Sequence, residues 1–100
     1  MDVGQAIKTL RQKRNMTQTQ LAEKCGMSTN AVCSLETGKS YPPKATVERL
    51  CKVFGISQAL FQLSSIEISD FPEEKRTLYR AMLLPLRNEL LERPEESEKF

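Results

Sequence analysis

The sequence predicts an all-α fold, with five short helices in one compact domain and an additional helix after it. Three observations predict it. Apolar residues recur at three- and four-residue spacing along nearly the whole chain. Capping residues and glycines divide those runs into short segments. The one alternating patch, Ile66-Glu67-Ile68, is too short to be more than a connector. One hundred residues, 39% apolar and 28% charged, suit a single core.

The elements follow in order. Val3, Ile7 and Leu10 form an i, i+4, i+7 stripe, and Asn15 is a reasonable stop. Thr17 has the profile of an N-cap for a second helix with Leu21, Ala22 and Cys25 on one face, ended by Gly26. Ser28 caps a third, whose inner face is Ala31, Val32 and Leu35, running until Gly38. The stretch 38–43 is a loop by its Gly and Pro content. Val47, Leu50, Cys51 and Phe54 mark a fourth helix closed by Gly55, and Ser57 caps a fifth holding Leu60 and Phe61.

These five helices define a domain over 1–63, followed by a connector over 64–71. Asp70-Phe71-Pro72-Glu73-Glu74 opens the additional helix, 72–93, in which Leu78, Met82, Leu86 and Leu90 recur every four residues. Pro85 lacks a backbone donor and crowds the preceding turn, so a kink or break is expected there. Pro94 and the Glu-rich end predict a flexible acidic tail over 94–100.

Residues 1–63 carry nine bases against four acids, and residues 64–100 carry six against nine, so a net +5 precedes a net −3. That division fits an anion-binding unit with a differently employed appendage, or else a solvated mixed surface. The chain has no His, which removes the commonest general base and metal ligand. Cys25, Cys33 and Cys51 are too widely spaced for a zinc knuckle and odd in number for a disulfide framework. No catalytic constellation, metal site or cofactor is expected. Gly38-Lys39-Ser40 mimics the end of a phosphate-binding loop, but the first glycine of that motif would fall at Cys33. The longest apolar run, Ala81-Met82-Leu83-Leu84, is far too short to cross a membrane. The opening residues show no secretory signal and the thiols suit a reducing compartment, so a cytoplasmic location is expected.

The order of residues between 17 and 39 is more specific than its helical pattern. Thr17, Gln18, Leu21, Ala22, Gly26, Ser28, Val32, Leu35, Glu36, Gly38 and Lys39 stand in one gap-free run that closely resembles the helix-turn-helix of the lambda-repressor/Cro-like family, also called the xenobiotic-response-element type. The resemblance continues through Pro42, Thr46, Val47, Leu50, Phe54 and Gly55. Ala22 supplies the small side chain where two helices cross, and Gly26 the residue without a Cβ that the turn needs.

The resemblance implies a sequence-specific, double-stranded-DNA-binding transcriptional regulator of repressor type, whose helix 28–36 reads the major groove. Ser28, Thr29, Asn30, Cys33 and Ser34 on its outer face are the candidate base contacts. Gln18, Lys13, Arg14, the Gly38 amide, Lys39 and Ser40 are the candidate phosphate contacts. Arg11 and Glu36 fall where the family has an internal ion pair, the alternative being two exposed charges. Relatives generally bind inverted repeats as homodimers, so the 72–93 helix is expected to dimerise or to fold back onto the domain. The second reading is an antitoxin-like or bridging protein that grips a protein partner through the same region.

Overall fold

The computed structural model describes residues 2–92; the acidic tail expected over 94–100 lies outside them. Among the described residues every regular element is helical. Helix α1 (Val3–Lys13) starts at Asp2, whose carboxylate accepts from the Gln5 amide. Its end turns through Asn15, held at φ 57°. Helix α2 (Gln18–Cys25) opens with a reciprocal cap: Thr17 accepts from the Gln20 amide and Gln20 from the Thr17 amide. Gly26 then leaves it at φ 67°, a conformation most side chains resist. Helix α3 (Thr29–Glu36) is capped by the Ser28 hydroxyl, α4 (Lys44–Phe54) ends at Gly55, and α5 (Gln58–Ser64) is capped by Ser57.

The core forms where the apolar faces of these helices meet. Ile7, Leu10, Leu21, Val32 and Leu50 are fully buried, with Ala22, Cys25, Leu35, Cys51, Phe54 and Phe61 around them. Burying such side chains is worth roughly 1.5–3 kcal/mol each for the larger ones. Helix α1 approaches the end of α3 so closely that a Cβ on Gly4 would stand 2.6 Å from the Leu35 carbonyl oxygen and 2.9 Å from that of Glu36. Asp2 is pinned as well, since its amide donates to Ser65 O at 2.9 Å.

A 3₁₀ turn (Ile68–Asp70) leads into the C-terminal segment. There a second 3₁₀ turn (Glu73–Lys75) runs through α6 (Arg76–Leu78), a π turn (Tyr79–Leu83) and α7 (Leu84–Leu91). The expected disturbance at Pro85 takes the form of the π turn. The Leu84 amide reaches back to Tyr79 O, and the proline falls in the first turn of α7, where a missing amide costs least. One side of this segment folds back. Leu91 is buried in the domain core and Tyr79 packs on Phe71 with ring centroids 5.0 Å apart. The Tyr79 hydroxyl and Arg87 both donate to Ile66 O, at 3.3 and 3.0 Å. No described helix is long and apolar enough to cross a membrane.

Candidate nucleic-acid interface

Helix α3 divides cleanly between its two faces. Val32 and Leu35 are buried and Ala31 half-buried, while Ser28, Thr29, Asn30 and Cys33 are exposed and Ser34 is half-buried. All five candidate base contacts therefore belong to one polar face turned away from the core. Ser28 keeps its hydroxyl oxygen on the Ala31 amide at 3.1 Å, which fixes where the helix begins. Thr29, itself exposed, donates its hydroxyl to Thr19 of α2 at 3.3 Å. Asn30 and Cys33 present an amide and a thiol, the Asn30 amide able to donate and accept at once.

The geometry of α3 is fixed by a buried charge. The Glu36 carboxylate accepts from Arg11 Nε at 2.7 Å, Arg11 Nη2 at 3.2 Å and Gln18 Nε2 at 3.1 Å. Arg11 Nη1 donates to Met16 O at 2.8 Å. One carboxylate thus ties α1, α2 and α3 together, and its side chain is only 3% exposed. Gln18 is placed at the first turn of α2, where the helix leaves its leading amides without intrahelical acceptors. An amide nitrogen has two hydrogens, so Gln18 can donate to Glu36 and still donate outward.

Two of the candidate phosphate contacts are corrected by the structure. Arg14 is 7% exposed, with Nε on Phe54 O at 2.9 Å and Nη1 on Leu91 O at 3.1 Å. It caps the carbonyl ends of α4 and α7, a use invisible from its place near the end of a basic helix. The Gly38 amide donates to Leu35 O at 3.3 Å, closing the turn after α3. The Lys39 and Ser40 amides both donate to Ser34 O, so this loop offers the exposed side chains of Lys39 and Ser40 instead of its amides. Lys13 donates to Glu92 at 2.6 Å, and its ammonium keeps further hydrogens to donate outward from this exposed pair.

Sequence reasoning missed other positioning residues. Gly4 lets α1 reach α3. Arg49 donates to Cys25 O at 3.0 Å and caps α2 beside the turn at Gly26. Cys25 and Cys51 are core thiols whose burial pushes their pKa up, the nearby Arg49 opposing this slightly at Cys25. No three described His, Cys, Asp or Glu side chains converge as a metal would require.

Two short helices joined by a tight turn, the second turned polar face outward, define a helix-turn-helix unit. A helix-turn-helix domain profile matches residues 2–63, and the chain belongs to that family. It is 39% identical over 56 residues to the immunity repressor protein of Bacillus phage phi105, covering 56% of this chain and 39% of the relative. It is 35% identical over 74 residues to the uncharacterized HTH-type transcriptional regulator RghRB of Bacillus subtilis (strain 168), covering 73% and 53%. To the HTH-type transcriptional regulator PuuR of Escherichia coli (strain K12) it is 31% identical over 70 residues, covering 70% and 37%. The matched stretches thus span about half or less of these relatives' lengths. No solved structure shows a significant match.

Proposed function

We propose that the chain is a sequence-specific transcriptional regulator of repressor type that binds double-stranded DNA with the outer face of α3 in the major groove. The observation that carries this reading is the split of α3: an inner row buried in the core, and an outer row of Ser28, Thr29, Asn30 and Cys33 left exposed. Short donors and acceptors on one rigid helix suit the floor of a groove that admits one helix. Asn30 pairs bidentately with an adenine edge, while the Thr29 methyl and the Cys33 sulfur meet thymine methyls. Gln18, Lys39 and Ser40 hold phosphates on either side and set the register. The names of the phage immunity repressor and of the HTH-type regulators support the same reading.

One helix-turn-helix reads few base pairs, so the chain acts as a homodimer on an inverted repeat with half-sites about one DNA turn apart. No catalytic step belongs to this function. Selection of bound fragments from random duplex DNA tests it. Enrichment of a two-fold symmetric sequence is expected, and failure to retain any duplex in dilute salt would contradict it.

A further inference from the structure

The C-terminal segment has two apolar rows, of which the domain uses one. Tyr79 and Leu91 are buried, whereas Leu78, Met82, Leu86 and Leu90 remain between 46% and 65% exposed. These four run at four-residue spacing, and Phe71, Lys75, Tyr79 and Leu83 join the first three around a groove of about 450 Å³. An apolar row that the domain's own core leaves uncovered is a candidate interaction surface.

We propose that this strip is a two-fold surface on which the same segment of a second copy lies antiparallel, centred on Met82. Charge selects both the occupant and its direction. Lys75 stands three residues before Leu78 and Glu89 three after Leu86; both are exposed, and neither has an ion-pair partner among the described residues. An antiparallel two-fold through Met82 sets Leu78 against the partner's Leu86 and Lys75 against the partner's Glu89, and repeats both contacts by symmetry. A parallel arrangement sets Lys75 beside Lys75 and Glu89 beside Glu89, which like-charge repulsion disfavours. The strip is therefore self-complementary in one orientation. The proposal rests on the operator-binding reading above, since an inverted repeat calls for an isologous pair, and it supplies the surface that makes the pair.

Sedimentation of the full chain tests it with two charge reversals. The parent protein is expected to be dimeric at micromolar concentration. Lys75→Glu and Glu89→Lys each set like charges opposite one another twice, and each is expected to weaken association by at least about tenfold. Mixing the two weakened variants restores opposite charges at both contacts, so the mixture recovers the parent's association. Met82→Glu places two carboxylates at the two-fold axis and abolishes it, without disturbing a buried side chain. A parent that stays monomeric at high micromolar concentration, single variants that associate like the parent, or a mixture that fails to recover would each overturn the proposal. Binding to a duplex carrying one half-site separates this result from the function: a monomeric variant that still binds the half-site leaves DNA recognition standing, and a parent that binds no duplex removes recognition while sedimentation still decides the surface.

Discussion

Arg11 and Glu36 meet through two hydrogen bonds, Nε to Oε2 at 2.7 Å and Nη2 to Oε1 at 3.2 Å, with side chains 12% and 3% exposed. The pair is set at the junction of α1 with the end of α3, so it fixes the angle at which the polar face of α3 is offered. Arg11→Met leaves the Glu36 carboxylate buried with Gln18 alone, and a lone buried charge costs roughly 3–5 kcal/mol. Denaturant unfolding should show a loss of that size. The double change Arg11→Met with Glu36→Leu should recover most of it, since no uncompensated charge remains. Equal stability of parent and Arg11→Met would mean that the pair contributes nothing.

Gly4 and Gly38 make a matched test of two different roles of glycine. A Cβ at Gly4 meets the Leu35 carbonyl oxygen at 2.6 Å, and backbone cannot swing aside as a side chain would. Gly4→Ala should therefore cost about 1–3 kcal/mol, in the range of an overpacked core, and should weaken DNA binding by tilting α3. Gly38 has open space around it but a φ of 79°. Gly38→Ala should cost about 1–2 kcal/mol through backbone strain alone.

Base and phosphate contacts respond differently to salt and sequence. Asn30→Ala should lose roughly 1–3 kcal/mol of discrimination at one base-pair position and leave the salt dependence intact. Lys39→Ala should weaken all sequences alike and reduce the slope of log K against log salt by about 0.9. Titrations of selected and scrambled duplexes at several salt concentrations distinguish the two.

The Lys13–Glu92 pair attaches the end of the C-terminal segment to α1. Hydrogen bonding and attraction from Lys13 hold the Glu92 carboxyl below its ordinary value. A depressed folded-state pKa means stability that is present above the unfolded value and lost as pH falls through the folded one. Carboxyl NMR titration should find the Glu92 midpoint low in the parent and returned upward in Lys13→Met. The pair is exposed, so the unfolding midpoint near neutral pH should hardly move.

Most of the five-helix domain can be read from the sequence because its signals are local. Thr17, Ser28 and Ser57 cap the helices they precede, and Gly26 and Gly55 end the helices they follow. The outward row of α3 follows equally from the spacing of Val32 and Leu35. What the sequence does not reveal is set by distant partners. Arg14 has the same local setting as any base near a helix end, and its burial depends on Phe54 and Leu91, 40 and 77 residues away. Gly4 looks like a weak helical residue until α3 is brought against it. The tail shows the same division, since its fourfold spacing marks an apolar row but not which row the domain covers.

The three cysteines allow contact between the outer face of α3 and the bases to be measured directly. Cys33 is exposed on that face, while Cys25 and Cys51 are buried and their thiols harder to ionise, so they serve as internal controls. Alkylation followed by mass spectrometry should modify Cys33 first in the free protein. Saturation with the selected duplex should shield Cys33 and leave the slow rates at Cys25 and Cys51 unchanged. If Cys33 reacts equally fast in the DNA-bound protein, α3 does not lie in the groove.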